Sequence, residues 1–222
     1  MAIIQSGPYL QNIEMFLKHC HRRKYNAKTT IIHSGDESDT LFYIMSGSVT
    51  ALMETNAGKE ITLAYLNPGD FFGEMGLFDE QRRSACIRAK SDCELGEICY
   101  PNFLALCNQH PEFLFAVSKQ VAGRLRNTSN KVRDLAFLDV SGRVARALLI
   151  LCQEPDALSH DLGTQIKITR QEIAKLIGCS REMVGRILRE FEGDQLITLS
   201  GKKIVVHNTG FQKLSVMRSE PN

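Results

Sequence analysis

A glycine-rich segment, residues 69–78, and the basic stretch that follows it hold the residues best suited to bind an anion. Three glycines within residues 69–76 allow tight turns, a close approach of a ligand and exposed backbone N–H groups. Arg83 can pair with phosphate oxygens, and the Ser84 hydroxyl can donate a further hydrogen bond. Glu74 only accepts when ionised, so it suits a ribose hydroxyl and repels phosphate. The pattern predicts a phosphate site, although a glutamate and an arginine at this spacing are also typical of surface charges or of a salt bridge.

A second stretch with chemical character, residues 169–188, lies near the C-terminus. Thr169 and Glu172 form a capping-box pair, which predicts the start of a helix. Gly178 suits the left-handed residue that ends this helix, and Ser180 is a typical N-cap for the next one. Two short helices joined by a glycine-containing turn are typical of a DNA-binding helix-turn-helix.

The second of these helices carries side chains that can read bases. Arg181 and Arg186 can each donate two hydrogen bonds to guanine, and Glu182 can accept one from cytosine. A predicted hairpin over residues 196–206 follows as the wing of a winged helix, and its turn places Lys202 to meet phosphates. The alternative is a structural helical hairpin with a solvated charged face.

The elements that must position the first site lie between residues 24 and 100. Four glycines, at intervals of 11 or 12 residues, separate short β-rich runs: Gly35, Gly47, Gly58 and Gly69. Short strands at this spacing are typical of an antiparallel sandwich or jelly roll.

A long helix is predicted over residues 110–136. Its apolar or uncharged residues follow nearly heptad spacing: Leu114, Val117, Val121, Leu125, Thr128, Val132 and Leu135. This seam predicts pairing with a symmetry mate in a homodimer, and packing on the chain's own sheet is the alternative. Asp139 is predicted to cap a further helix through Cys152. We therefore expect a β domain with its long helix over residues 1–138, a DNA-binding domain over residues 139–210 and a polar tail over residues 211–222.

Composition limits the class of protein. The 222 residues are 43% hydrophobic and 23% charged, which is ordinary for a globular chain of one or two domains. A net charge of +2 does not indicate a nucleic-acid binder, so that function must reside in local clusters. No apolar run approaches the ~18 residues that span a bilayer, and no secretory signal is visible. Together with an odd number of cysteines, seven, this predicts a cytoplasmic protein with free thiols and no membrane association.

The chain resembles the cyclic-AMP receptor protein (catabolite activator) family over roughly residues 10–209. The resemblance rests on several stretches: Gly73-Glu-Met-Gly-Leu-Phe, Arg83-Ser-Ala, Leu135-Ala-Phe-Leu-Asp-Val, Gln165-Ile-Lys-Ile-Thr-Arg-Gln-Glu-Ile and Gly178-Cys-Ser-Arg-Glu-Met-Val-Gly-Arg-Ile-Leu. It implies an α+β protein with an N-terminal, jelly-roll-like cyclic-nucleotide-binding β-roll, a long dimerisation helix and a C-terminal winged helix-turn-helix. It also implies cyclic AMP as the allosteric ligand and double-stranded DNA with TGTGA-like half-sites as the target.

The resemblance further implies the roles of individual residues. Those implied to hold the ribose and cyclic phosphate are Gly73, Glu74, Arg83 and Ser84. Thr128, and Ser129 of the partner subunit, are implied to reach the adenine. Base reading is implied for Arg181, Glu182 and Arg186, and positions near the DNA backbone for Thr169, Arg170, Ser180 and Ser141.

Two further surfaces match parts of the family that contact RNA polymerase. The loop over residues 156–164 matches the surface for the polymerase α subunit, although its Ser159-His-Asp-Leu-Gly departs from the commoner Thr-His-Pro-Asp-Gly. His19, His21 and Glu97 match part of a second contact surface. Pro101-Asn102 stands where that surface often has a basic pair.

Other effectors and another class of protein are the alternatives. A redox regulator with an iron–sulfur cluster needs about four cysteine ligands at close spacing, which the seven cysteines lack. Haem and cyclic GMP remain alternative effectors. An enzyme such as a phosphodiesterase needs a metal cluster or a nucleophilic constellation, and the phosphate-binding stretch contains neither. We therefore expect a sensor without catalytic residues or a metal site.

Overall fold

The computed structural model describes residues 13–55, 58–79, 82–208 and 210. They form two compact units that divide between Asn127 and Thr128, inside a long helix. The sequence-based boundary at residue 138 instead marks the end of that helix. The predicted polar tail, 211–222, lies outside the described residues.

The described part of the first unit contains eight antiparallel strands in two four-stranded sheets. One sheet has the order β1 (His21–Tyr25), β8 (Cys93–Cys99), β3 (Thr40–Ser46), β6 (Phe71–Phe72). The other has the order β2 (Thr30–Ile32), β7 (Cys86–Ala89), β4 (Val49–Glu54), β5 (Glu60–Leu66). The antiparallel β architecture predicted from the glycine spacing is confirmed.

A tight turn between β3 and β4 shows why one of these glycines is required. Gly47 has φ +77°, and a Cβ there would lie 2.2 Å from the carbonyl oxygen of Asp92. Only glycine fits both the left-handed backbone and this close approach.

Apolar side chains form two clusters in the first unit. One joins the two sheets through alternating strand residues, including Ile44, Val49, Leu66, Phe72, Ile87 and Leu95. The other packs the first sheet against three helices, α1 (Ile13–Lys18), α3 (Tyr100–Gln109) and α4 (Glu112–Phe137). Phe16 is fully buried at its centre, with its ring centroid 5.3 Å from that of Phe71. The short α2 (Gly76–Asp79) follows β6.

The predicted dimer seam on α4 is wrong for its first half. Val117 is only 1% exposed, and Leu114 and Val121 pack against the same apolar cluster of their own unit. Leu125 and Val132, by contrast, are 67% and 61% exposed. The first half of the seam therefore packs on its own domain, as the alternative proposed, because this half covers the outer face of the first sheet. Its second half exposes apolar side chains instead.

The second unit begins within α4 and contains three further helices among its described residues: α5 (Val140–Leu151), α6 (Arg170–Ile177) and α7 (Arg181–Gly193). A four-stranded sheet has the order β11 (Ile197–Ser200), β12 (Lys203–His207), β10 (Gly163–Lys167), β9 (Leu158–His160). Asp139 caps α5, since its carboxylate accepts from the backbone N–H of Gly142 at 2.7 Å. This cap was predicted. Within the described ranges, no helix has the length and apolar character needed to cross a membrane.

Candidate functional site

Arg83 is a buried cation that neutral groups hold in place. The residue is 8% exposed, and its two Nη atoms donate to the carbonyl oxygens of Gly73 and Thr40 at 2.9 and 2.8 Å. Nη1 also lies 3.3 Å from the hydroxyl oxygen of Tyr100. The carboxylate of Asp39 is 3.7 Å away on a side chain that is 80% exposed, so water screens that ion pair. Carbonyl oxygens orient a guanidinium without neutralising it, so this position keeps a positive charge that favours an anion.

The turn that precedes β3 fixes the backbone of Arg83. The N–H of Gly35 donates to the carbonyl oxygen of Arg83 at 2.9 Å, and the N–H of Arg83 donates to that of Asp36 at 3.0 Å. Ser84, the next predicted ligand residue, is exposed. The backbone therefore presents the arginine and serine side by side, one buried and one open to solvent.

Gly73 has both properties for which the sequence argument selected glycine. Its φ is +75°, and a Cβ there would lie 2.6 Å from Nη1 of Arg83 and 3.0 Å from the carbonyl oxygen of Thr40. A side chain at this position would thus displace the guanidinium. Gly73 and Arg83 are brought together, as the resemblance implies.

Glu74 is 6% exposed, and its carboxylate pairs with Arg124 of α4 at 2.9 Å. The alternative, surface charges or a salt bridge of Glu74 with Arg83, does not describe this pair, because both side chains are buried and the Glu74 carboxylate pairs with Arg124. Gln120, one turn before Arg124, accepts from the N–H of Phe71 at 2.8 Å and donates to the carbonyl oxygen of Gly69 at 2.9 Å. Two side chains of α4 thus hold the glycine-rich segment.

Sequence reasoning missed Gln120 and Arg124. A signal was available, because residues four positions apart share one face of a helix. A polar pair at that spacing, beside an apolar seam that packs on the sheet, indicates contact with polar backbone. Thr128 and Ser129, which the resemblance assigns to the adenine, are exposed residues of α4 in the second unit. Their role stays a prediction.

The helix-turn-helix has the local geometry predicted from its sequence. Thr169 Oγ1 accepts from the N–H of Glu172 at 3.2 Å, and the Glu172 carboxylate accepts from the N–H of Thr169 at 2.7 Å. Gly178 ends α6 in the left-handed region, with φ 70° and ψ 44°. Ser180 caps α7 by accepting from the N–H of Met183 at 3.2 Å.

Helix α7 has one buried face and one charged face. The buried side chains, at most 3% exposed, are Val184, Ile187, Leu188 and Phe191. The charged face is exposed and includes Arg181, Glu182, Arg186 and Arg189. Arg170 joins it, since a surface depression of about 410 Å³ is lined by Arg170, Arg181, Glu182, Gly185 and Arg189. Three arginines against one glutamate give this depression a positive charge, which suits the phosphates of a nucleic acid.

Arg186 already has contacts on its own helix. Its Nη2 lies 3.0 Å from the sulfur of Met183, and its Nε lies 3.8 Å from a carboxylate oxygen of Glu190. The side chains of Arg186 and Glu190 are both exposed, so their ion pair is weak. A base edge can therefore replace Glu190 as the partner of Arg186.

The predicted wing is the hairpin of β11 and β12, in which Ser200 pairs with Lys203. Lys202 is exposed at its turn, and Gly201 there has φ 62°. Ser141, implied to lie near the DNA backbone, is half-buried in the first turn of α5.

Cys20 and Cys152 are partly buried cysteines. Burial raises the pKa of Cys20 and that of Cys152 to about 12, so both stay protonated at neutral pH. Over the ranges that the structure covers, no three His, Cys, Asp or Glu side chains lie close enough to hold a metal ion.

Two protein families match the N-terminal and the C-terminal part of the chain separately. Residues 22–110 match the cyclic nucleotide-binding domain family, and residues 142–210 match the Crp-like helix-turn-helix domain family. The cAMP-activated global transcriptional regulator Vfr of Pseudomonas aeruginosa is 54% identical over 213 residues, which cover 94% of this chain and all of Vfr. The cAMP-activated global transcriptional regulator CRP of Salmonella typhimurium is 54% identical over 198 residues, which cover 89% of this chain and 94% of that protein.

Solved structures give the same result. The c-di-GMP responsive global regulator CLP of Xanthomonas campestris matches with a TM-score of 0.82 and 42% identity, over 88% of this chain and 98% of CLP. The identity to full-length relatives, the two matched domains and the shared fold agree. The chain belongs to the CRP family of transcription regulators, in which a cyclic nucleotide-binding domain precedes a helix-turn-helix.

Proposed function

We propose that this protein is a cyclic-AMP-activated, homodimeric transcription regulator of the cytoplasm, and that Arg83 binds the cyclic phosphate. The observation that carries the proposal is the burial of Arg83 among neutral acceptors, which leaves its charge available to an anion. Gly73 lets the ligand approach the backbone, the Ser84 hydroxyl donates to phosphate, and Glu74 accepts from a ribose hydroxyl. Two relatives, Vfr and CRP, are named as cAMP-activated regulators.

The ligand acts by differential affinity. Cyclic AMP must bind the DNA-competent arrangement of the two winged helices more tightly than the incompetent one. A ligand shifts a conformational equilibrium only by the difference between its affinities for the two states. Thr128 and, from the partner subunit, Ser129 are proposed to reach the adenine. The hinge is proposed at Asp139 and the two residues before it.

Titration calorimetry with DNA-binding measurements tests this function. We expect cyclic AMP to bind the full-length protein and to raise its affinity for a palindromic DNA site. Cyclic GMP and cyclic di-GMP serve as the comparison ligands. Absence of cyclic-AMP binding, or binding without any effect on DNA affinity, would overturn the proposal.

Cyclic di-GMP is the second candidate effector, because CLP shares 42% identity and is described as c-di-GMP responsive. Cyclic di-GMP replaces cyclic AMP as the proposed effector if it binds the protein and changes its DNA affinity while cyclic AMP neither binds nor changes that affinity. Incubation with cyclic AMP and chromatography for AMP separates a sensor from a phosphodiesterase. We expect intact cyclic AMP.

The second half of the α4 seam is proposed as the dimer interface. Leu125 and Val132 are exposed apolar residues of one helix, seven positions apart, which is the spacing of a coiled-coil seam. Leu125→Glu should shift sedimentation equilibrium toward the monomer. Met53→Glu, at a side chain 51% exposed on β4, is the matched control and should remain dimeric.

Contact with RNA polymerase is proposed through two surfaces. Leu158 and Leu162, in the loop implied to meet the α subunit, are 58% and 53% exposed. His21 and Glu97 are cross-strand partners on β1 and β8, whereas His19 precedes β1. Transcription in vitro tests the first surface, since Leu162→Ala should lower activation and leave DNA binding unchanged. Equal activation by the variant and the wild type would reject it.

A further inference from the structure

The hydroxyl of Tyr100 lies at the centre of a buried polar network beside Arg83. It donates to the carbonyl oxygen of Gly73 at 2.5 Å and lies 2.7 Å from the hydroxyl oxygen of Ser38. Nη1 of Arg83 donates to the same tyrosine oxygen at 3.3 Å. Tyr100 itself is 9% exposed.

The direction of each hydrogen bond follows from counting protons. A tyrosine hydroxyl has one proton, and here the carbonyl oxygen of Gly73 receives it. The Ser38 hydroxyl must therefore donate to Tyr100. The carbonyl oxygen of Gly73 uses both lone pairs, one for Tyr100 and one for Arg83 at 2.9 Å. Nη1 of Arg83 is thus held between two acceptors that are themselves connected.

A glycine makes room for this network. A Cβ on Gly76 would lie 2.4 Å from Oγ of Ser38 and 3.0 Å from the Tyr100 hydroxyl oxygen. The N–H of Tyr100 also donates to the carbonyl oxygen of Asp39 at 2.9 Å, which ties the start of α3 to the loop that carries Ser38. The tyrosine is therefore placed by packing and backbone as well as by its hydroxyl.

We propose that Tyr100, oriented by Ser38, is a positioning residue that sets the angle at which Arg83 meets the phosphate of the ligand. The inference rests on the proposed function, since it assigns the phosphate to Arg83. The two exocyclic oxygens of a cyclic phosphate differ in orientation, and a fixed guanidinium distinguishes them, whereas a rotating one does not. Discrimination between these oxygens is consequently the property that Tyr100 controls.

The experiment compares full-length Tyr100→Phe with the wild type for three ligands: cyclic AMP and its two phosphorothioate diastereomers, each with sulfur at one exocyclic position. We expect the affinity of the variant for cyclic AMP to fall about tenfold, because Arg83 loses an acceptor. The ratio of affinities for the two diastereomers should move toward one, by about threefold or more. A purely structural role would weaken all three ligands equally. Tyr25→Phe is the matched control, since it loses a tyrosine hydrogen bond of 2.6 Å to Glu97 at the edge of the sheet, and it should change neither quantity.

Ser38→Ala provides a second, milder variant that decides the matter even if Tyr100→Phe does not fold. It should move the diastereomer ratio in the same direction by a smaller factor. In the Tyr100→Phe background it should have no further effect, because Ser38 acts through the tyrosine hydroxyl. An unchanged ratio in both single variants, with tight cyclic-AMP binding by the wild type, overturns the positioning role and leaves the proposed function intact. No cyclic-AMP binding by the wild type overturns both.

Discussion

Arg124 of α4 donates a hydrogen bond of 2.9 Å to the buried carboxylate of Glu74, fifty positions earlier in the chain. Its second Nη atom donates to the carbonyl oxygen of Phe71. The group proposed to receive the ribose hydroxyl is thus connected directly to the long helix. A ligand that contacts Glu74 alters a pair in which α4 takes part, and this gives the nucleotide a physical connection to that helix.

Replacement of Arg124 tests that connection. Arg124→Met should leave the Glu74 carboxylate buried without a partner, at a cost of ~1–3 kcal/mol in the free energy of unfolding. Cyclic-AMP affinity should fall as well, because the carboxylate is no longer held in one orientation. Urea unfolding and calorimetry measure the two effects. Glu74→Gln with Arg124→Met should recover part of the lost stability, and a double variant no more stable than Arg124→Met would contradict the pairing argument.

Removal of the buried cation should abolish ligand binding. Arg83→Leu deletes a charge-assisted contact in which each hydrogen bond contributes ~1.5–3 kcal/mol. Arg83→Lys keeps the charge but not the planar fork, so it should retain weak binding. Calorimetry with cyclic AMP ranks the three proteins. Wild-type affinity in Arg83→Leu would remove Arg83 from the phosphate site.

Gly73→Ala should impair the same site by crowding. The new Cβ would lie 2.6 Å from Nη1 of Arg83, on a backbone with φ +75°. We expect a loss of ~1–3 kcal/mol in unfolding free energy and at least a tenfold loss in cyclic-AMP affinity. Gly58→Ala is the matched control, since Gly58 has φ +71° and nothing within 4 Å of its added Cβ. It shares the strain without the clash, so its ligand affinity should stay normal. Equal affinity losses in the two variants would reject crowding as the cause.

The stability contributed by Asp70 should depend on pH. Burial raises the pKa of this carboxyl above its ordinary value of 3.8, although the N–H of Asn67 and the charge of Arg124 act in the opposite direction. A raised pKa means that the folded state prefers the protonated acid. The contribution is therefore present below the ordinary pKa and lost as the pH rises through the raised one. Asp70→Asn does not ionise, so its stability relative to the wild type should increase between about pH 4 and pH 7. Urea unfolding across this range measures the difference, and a difference independent of pH would refute the assignment.

Local signals predicted the C-terminal motif well, and long-range contacts account for what was missed. Thr169 and Glu172 specify a capping box within four residues, and Gly178 ends its helix through its own backbone freedom. Helical spacing places Gln120 and Arg124 on one face of α4, but it does not identify Glu74 as the partner of Arg124, because that partner comes from a segment fifty positions away. Helix α3 was missed because it follows β8 directly and its N-cap, Cys99, offers no side-chain hydrogen bond.

The α4 seam shows a second kind of limit. Heptad spacing identifies an apolar face but not the surface that covers it, so Val117 and Val132 follow the same pattern with opposite exposure. The exposure of Arg181, Glu182 and Arg186 on α7 was predicted because helical periodicity alone determines which face of the helix is buried. Their role in reading bases stays a prediction.

The exposed charged face of α7 is the surface proposed to read bases. A two-fold dimer should bind a pseudo-palindrome whose half-sites lie about one helical turn (~34 Å) apart. The family resemblance implies that these half-sites are TGTGA-like. Glu182 is exposed beside Arg181 and Arg170, where it can accept from cytosine N4. Glu182→Ala should therefore relax preference at one base pair per half-site, by ~1–3 kcal/mol, without a large loss of non-specific binding.

Lys202→Ala is the contrasting variant, because Lys202 is exposed at the turn of the wing and is placed to meet a phosphate. It should weaken all sequences about equally and reduce the slope of log affinity against log salt by ~0.9 for each phosphate that the lysine no longer neutralises. Binding-site selection measures the first effect, and titrations at several salt concentrations measure the second. If Glu182→Ala kept the wild-type preference at every position, α7 would not present this residue to the bases. If Lys202→Ala changed the sequence preference while keeping the salt slope, the wing would read bases instead of contacting the backbone.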